Sequence, residues 1–367
     1  MSEHSPDNAF DHGGTIHATA RTIGCGVDDL LDFSASINPR GLAPMVHQAI
    51  VQAIEQIPHY PDATATVLTE ALAAYHQLPH ESVVPANGST SLIHLLPTIC
   101  TGTRGMIVCP AFSEYELALT RHGWTIQRHL LSAADNFTLD LERLESNLRR
   151  ERQDLLFFCT PSNPAGVLYD ATQVTAVLEL CRAHGTLLVL DEAFMDFCGE
   201  EYSAKQAVVA SCQGIVLRSL TKFHALAGLR LGCALASAEL AGRIRAAQPP
   251  WEVSNLAQAA GVVALADAHF AEETRRLIAD DRAQLSEQLT QLPDINLFPS
   301  TVNYLLLQLS GSCTAPRLRE QLLRNHRIMV RDCSSFAGLG DRFLRVAVRS
   351  RGENERLVEA LKAELTP

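Results

Sequence analysis

The sequence predicts an α/β fold: a large unit whose mostly parallel sheet is covered by helices on both faces, a smaller α+β unit at the C-terminal end, and an N-terminal arm. Three observations carry that expectation. Between about residues 82 and 236, near-continuous apolar runs alternate with helical stretches, the pattern of strands buried on both faces. Beyond about residue 245 the rhythm gives way to a long helical region and then a mixture of strands and helices. The 367 residues are 47% hydrophobic and 19% charged, enough for one large core and a smaller one. The expected divisions are 1–42 for the arm, 43–247 for the large unit and 248–367 for the small unit.

Each element has a local reason. Residues 1 to about 40 read as an irregular arm containing His12-Gly13-Gly14 and the stretch Asp32-Phe-Ser-Ala-Ser-Ile-Asn-Pro-Arg-Gly41. Paired glycines let a backbone approach a ligand closely, and Asn38-Pro39 with Gly41 marks a turn. Pro44 opens a helix carrying Val46, Ile50, Ile54 and Ile57 at helical spacing, and His59-Tyr60-Pro61-Asp62 ends it. A second helix covers about 63–75. Then the strand-turn-helix units begin. Val83-Val84 leads to Asn87-Gly88-Ser89-Thr90, and Met106-Ile-Val-Cys109 to Pro110-Ala-Phe112. Leu155-Leu-Phe-Phe-Cys159 leads to Asn163-Pro-Ala-Gly166, Leu187-Leu-Val-Leu190 to Asp191-Glu-Ala-Phe194, and Ile215-Val-Leu217 to Lys222. The small unit has a broken helical region at about 255–292, strands at Tyr304–Leu309, Ile328–Val330 and Phe343–Val348, and helices at about 315–325 and 353–365.

Charge and composition narrow the function. A net charge of −11 argues against a nucleic-acid surface. No apolar run is long enough for a membrane span, and the polar N-terminus lacks a signal-peptide pattern, so a cytoplasmic protein is expected. The ten cysteines are scattered without a C-x-x-C pair, which favours free thiols in a reducing compartment. No H-E-x-x-H motif is present, and no metal is expected.

The most pointed chemistry lies in Ser219-Leu-Thr-Lys-Phe-His-Ala-Leu-Ala-Gly-Leu-Arg-Leu-Gly232. Hydroxyls flank Lys222, and Arg230 follows eight residues later. A lysine amine can hold an aldehyde cofactor, and hydroxyls with a guanidinium can hold its phosphate. The chain has three lysines. Lys205 lies in a polar stretch and Lys362 in a charged C-terminal helix, so both read as surface residues. Taken singly, Gly88 is also a tight-turn residue, Asn163-Pro164 a turn former and Asp191 a helix cap. Their placement at successive strand ends, where ligands of open α/β sheets bind, points to one site.

Ser219-x-x-Lys222 with Arg230, Asn163-Pro-Ala-Gly166 and Asp191-Glu-Ala-Phe194 resembles the class I and II aminotransferases of pyridoxal-phosphate fold type I. The likeness runs from about residue 12 to the C-terminus. It is nearest to the branch holding histidinol-phosphate aminotransferases and threonine-phosphate decarboxylases, and the arm is similar to that of the decarboxylases. The resemblance implies pyridoxal phosphate as cofactor, with Lys222 carrying it and moving protons. Asp191 is then the partner of the ring nitrogen, Asn163 of the ring oxygen, and Phe112 stacks on the ring. Gly88, Ser89, Thr90, Ser219, Thr221 and Arg230 hold the phosphate, joined by Tyr60 from the other subunit of a homodimer. His12, Gly13, Ser36, Asn163, Arg331 and Arg345 meet a small phosphorylated amino acid. The expected reaction is decarboxylation of O-phospho-L-threonine, or of O-phospho-L-serine, to supply aminopropanol phosphate to the cobalamin linker; the alternative is transamination of histidinol phosphate. Ser36 replaces the Asn usual in the family, which bears on substrate preference. Phe194 stands where many aminotransferases have Tyr.

Overall fold

The computed structural model describes residues 13–365; His12 lies outside them. The described part of the arm, 13–42, is not wholly irregular. It forms helix α1 (Ile16–Ile23), ended by Gly24 in the left-handed region, and strand β1 (Leu31–Asp32). Ala20 of α1 packs with Leu30 and Met329, a contact across the chain that local periodicity does not reveal.

The remaining elements follow in order. Helices α2 (Pro44–Ala53) and α3 (Thr66–His76) precede the units β2 (Val83–Ala86), α4 (Gly88–Ile99), β3 (Arg104–Cys109), α5 (Ser113–Arg121), β4 (Thr125–Leu130) and α6 (Leu141–Arg150). Next are β5 (Leu155–Cys159), α7 (Ala171–His184), β6 (Leu187–Asp191), α8 (Lys205–Ala210), β7 (Gly214–Ser219), α9 (Leu220–Phe223), β8 (Gly232–Ala236) and α10 (Ala238–Ala247). The chain closes with α11 (Asn255–Ala266), α12 (Ala268–Thr290), β9 (Ile295–Leu297), β10 (Tyr304–Leu309), α13 (Ala315–His326), β11 (Ile328–Met329), β12 (Arg331–Asp332), β13 (Phe343–Ala347) and α14 (Arg351–Leu365). The break in the long helical region falls at Asp267, whose carboxylate caps α12.

Seven strands form the main sheet in the order β2-β8-β7-β6-β5-β3-β4. Only β8 runs against the rest. Alternate residues feed two apolar layers: Leu156, Phe158, Leu188, Leu190 and Val216 on one face, Phe157, Val189, Ile215 and Leu217 on the other. Helices α3, α7 and α11 cover the first layer; α4, α5 and α10 cover the second. The expected α/β architecture therefore holds. A second sheet, β12-β13-β10-β9, is antiparallel and packs on α13 and α14, while β1 pairs in parallel with β11.

Several local expectations fail for physical reasons. Strands β4 and β9 lie at sheet edges and are only partly buried, so they carry no continuous apolar run. Ile54 and Ile57 continue the helical spacing of α2 but are 48% and 59% exposed. Lys205 is not a surface residue. It is buried, with Nζ 2.5 Å from Glu200 Oε2 in an ionic cluster beneath the sheet. His76 and His80 have i,i+4 spacing, but His76 bonds Glu200 and His80 has left the helix. Among the described residues no group of His, Cys, Asp and Glu could hold a metal, all ten cysteines are free thiols, and no helix is long and apolar enough to cross a membrane.

Candidate active site

The carboxyl ends of β3, β5, β6 and β7 open into a cavity of about 570 Å³, of the size that holds a cofactor and a small substrate. Lys222 enters it from α9, a single turn directly after β7. That turn is tied to the arm: the Asn38 N–H donates to Lys222 O at 3.0 Å and Asn38 Nδ2 to Phe223 O at 2.8 Å. The Lys222 Nζ donates to Thr221 Oγ1 at 3.0 Å, and Thr221 Oγ1 lies 2.7 Å from Ser219 Oγ. Desolvation first, then the charges of Arg230 and Arg345, bring the pKa of Lys222 down to about 8, with Asp191 opposing.

Around the lysine, Ser89 and Thr90 line the cavity from the N-terminus of the twelve-residue helix α4, whose free N–H groups favour an anion. Arg230 faces them in a left-handed conformation (φ 57°) that costs on the order of 1–3 kcal/mol in a non-glycine residue. The backbone is crowded here. A Cβ on Gly88 would lie 2.8 Å from Arg230 Nη2, and one on Gly232 would lie 2.6 Å from the Ser89 nitrogen. Gly232 pairs with both Ala86 and Ser219, so β8 brings the β2 and β7 ends together.

Asp191 closes the other side. It is buried, with Oδ2 accepting from the Tyr115 hydroxyl at 2.5 Å and Oδ1 from the Ala193 N–H at 2.9 Å. Burial pushes its carboxyl pKa up, against the pull of those two donors and of Lys222. Phe112 lines the cavity and meets Tyr115 edge-on at 5.9 Å. Phe194 lines it too.

At the far end, Arg331 and Arg345 are register partners on β12 and β13. Arg345 Nη1 donates to Asn163 Oδ1 at 2.5 Å and Nη2 to Ser34 O at 2.9 Å. Its guanidinium carbon stands 5.0 Å from the Tyr304 ring centroid. Arg331 Nη2 donates to Ser335 Oγ at 3.1 Å. Ser36 also lines this end; it is buried and its Oγ has no hydrogen-bond partner among the described residues. Gly13 abuts Ser34 so closely that a Cβ would fall 2.1 Å from Ser34 O.

Most of the residues singled out in the sequence thus converge. Gly88, Ser219 and Thr221 support the cavity wall without lining it, and His12 lies outside the described residues. Tyr60 stands apart: it is 78% exposed and stacks on Trp251 with centroids 4.5 Å apart. Sequence reasoning missed Tyr115, Ser34 and the latch made by Asn38. Tyr115 had one available signal, its position a helical turn beyond Phe112.

An amine kept partly neutral between anion donors and a buried carboxylate puts the molecule in the class of pyridoxal-phosphate-dependent enzymes. The chain belongs to the class I and II aminotransferase family, whose profile matches residues 28–361. It is 40% identical to the threonine-phosphate decarboxylase of Salmonella typhimurium over 359 residues, 97% of this chain and 96% of that one. Identity is 30% to the adenosylcobalamin biosynthesis bifunctional protein CobDQ of Leptospira interrogans, covering 96% of this chain and 41% of that protein. The crystal structure of histidinol-phosphate aminotransferase from Clostridium acetobutylicum matches with a TM-score of 0.85 and 28% identity, over 91% of this chain and 99% of that one. Pyridoxal phosphate is the cofactor, and the residues fit it: a glycine-walled cradle beside Ser89 and Arg230, an amine, and a carboxylate for the ring nitrogen.

Proposed function

We propose that this chain decarboxylates O-phospho-L-threonine to aminopropanol phosphate, for the linker of cobalamin. The observation that carries this reading is the near full-length likeness to the Salmonella typhimurium decarboxylase. The cavity supports it. Lys222, Arg230, Arg331 and Arg345 line it, enough positive charge for a cofactor phosphate together with a substrate phosphate and carboxylate.

Lys222 would hold the cofactor, with Asp191 the partner for its ring nitrogen, Asn163 for its ring oxygen, and Phe112 for the ring itself. Gly88, Ser89, Thr90, Ser219, Thr221 and Arg230 form the phosphate cradle. When bound, the cofactor supplies an electron sink for the bond that breaks at Cα. The protein decides which bond that is. Arg331 and Arg345 would grip the substrate's two anionic ends and so fix which Cα bond is presented for cleavage. Lys222, in its protonated form, would be the acid that supplies a proton to Cα in place of the lost carboxylate; burial and the neighbouring arginines lower its pKa to about 8, which makes it a readier donor than an ordinary lysine. Ser36 and Gly13 shape the substrate end, and Ser36 sets the choice between phosphothreonine and phosphoserine.

The working form is a homodimer in the cytoplasm. Exposed Met45, Ile54, Ile57, Tyr60 and Trp251 form the apolar surface for the partner, with Tyr60 directed to the partner's cradle. Ten free thiols suit a reducing compartment.

The test is carbon dioxide release from O-phospho-L-threonine and O-phospho-L-serine, with and without 2-oxoglutarate. Release without any keto acid is expected. Turnover that needs 2-oxoglutarate and prefers histidinol phosphate would make the chain a transaminase.

A further inference from the structure

Tyr115 has no part in the roles above, yet among the described residues it makes the shorter of the two hydrogen bonds to the Asp191 carboxylate. It sits in the first turn of α5, its ring stacked on Phe157 at 4.7 Å and 6°. The side chain is buried, so its hydroxyl must find a protein acceptor. It finds Asp191 Oδ2 at 2.5 Å, the length of a bond from a hydroxyl to a charged oxygen. Among the described residues the other groups facing Asp191 are the Ala193 N–H, the Cys159 thiol from β5, the Lys222 amine from α9 and, by its charge alone, the Tyr304 phenol from β10.

We propose that Tyr115 is a positioning residue that keeps Asp191 charged and aimed, and so holds the proton on the ring nitrogen of the cofactor. The inference rests on the pyridoxal-phosphate reading above. Burial alone drives a carboxyl toward its neutral form. A hydroxyl donor offsets that and leaves the carboxylate a weaker base. Without the donor, Asp191 becomes more avid for a proton, and the proton it shares with the ring nitrogen shifts toward the carboxylate. The ring then withdraws electrons less strongly. The same phenol braces Phe112, so charge and ring placement depend on one side chain.

Tyr115→Phe in the cofactor-loaded enzyme removes only the hydroxyl and keeps both ring contacts. We expect kcat to fall about tenfold with KM nearly unchanged, and the pH midpoint of the bound cofactor's visible absorbance to rise by about one unit. The midpoint rises because a less positive ring leaves the nitrogen joined to Lys222 easier to protonate. A variant whose Tm or cofactor affinity drops while midpoint and kcat stay at wild-type values would make Tyr115 a structural prop and overturn the proposal. Wild-type protein with no visible cofactor band would sink the cofactor reading along with it. A normal wild-type band and an unmoved midpoint in the variant overturn the role of Tyr115 alone.

Discussion

At the ends of β6 and β7, two neighbouring polar residues point to opposite faces: Asp191, the last residue of β6, and Glu192 just beyond it, and Arg218 and Ser219 closing β7. One face holds a closed ionic cluster. Arg218, fully buried, donates to Glu192 Oε2 at 3.2 Å, to Asp196 Oδ1 at 2.5 Å and to Glu200, while Lys205 also meets Glu200. Burial works against the charge of Arg218, but Asp196, Glu200 and Glu192 together hold its pKa well above the usual value. The other face is the cleft, where among the described residues three of the cations have neutral hydrogen-bond partners. Lys222 donates to Thr221, Arg230 to Ala227 O, and Arg345 to Asn163 and Ser34 O. Charges on the first face satisfy one another within the fold. Those three on the second are left for anions that arrive later.

The contrast can be broken from either side. Arg218→Met should cost about 3–5 kcal/mol of stability, because three carboxylates lose their common buried partner. A lowered Tm or denaturation midpoint checks it, and an unchanged one would dissolve the distinction. Arg345→Met should shift the balance the other way: kcat/KM for O-phospho-L-threonine falls about 100-fold, while stability falls by only about 1–3 kcal/mol, since the acceptors left unpaired on Asn163 and Ser34 are neutral. A smaller effect sharpens the same comparison. In cofactor-free protein only the neutral Lys222 amine can take up pyridoxal phosphate. Its pKa is lowered to about 8, so the uptake rate should climb about tenfold between pH 7 and pH 9 and then level off. A rate that keeps rising beyond pH 10 would place the amine in ordinary solvent.

These two faces were not equally legible in the sequence. Lys222, Asp191, Asn163 and Arg230 each follow an apolar run, so strand periodicity alone set them at one edge of the sheet. Arg331 and Arg345 were legible only through the family resemblance; their pairing on β12 and β13 is what the structure adds. The ionic cluster was not. Glu200-Glu-Tyr-Ser-Ala-Lys205 has the look of a solvated loop, and only the chain's return beneath β7 buries it. Tyr115 and Asp191 are 76 residues apart, and Asn38 reaches Phe223 across 185. Such contacts arise from topology and leave no local pattern. The helix in the arm was hidden similarly, its buried face being completed by Leu30 and Met329. Tyr60 points away from its own cleft, so a single chain displays no reason for its identity.

The assignment of the cofactor to one amine can be tested most directly by reducing the cofactor-loaded protein with borohydride and mapping the mass label among its peptides. With three lysines in the chain, the label is expected on the peptide that carries Lys222 and nowhere else. A label on Lys205 or Lys362, or protein that reduces without any label, would contradict it.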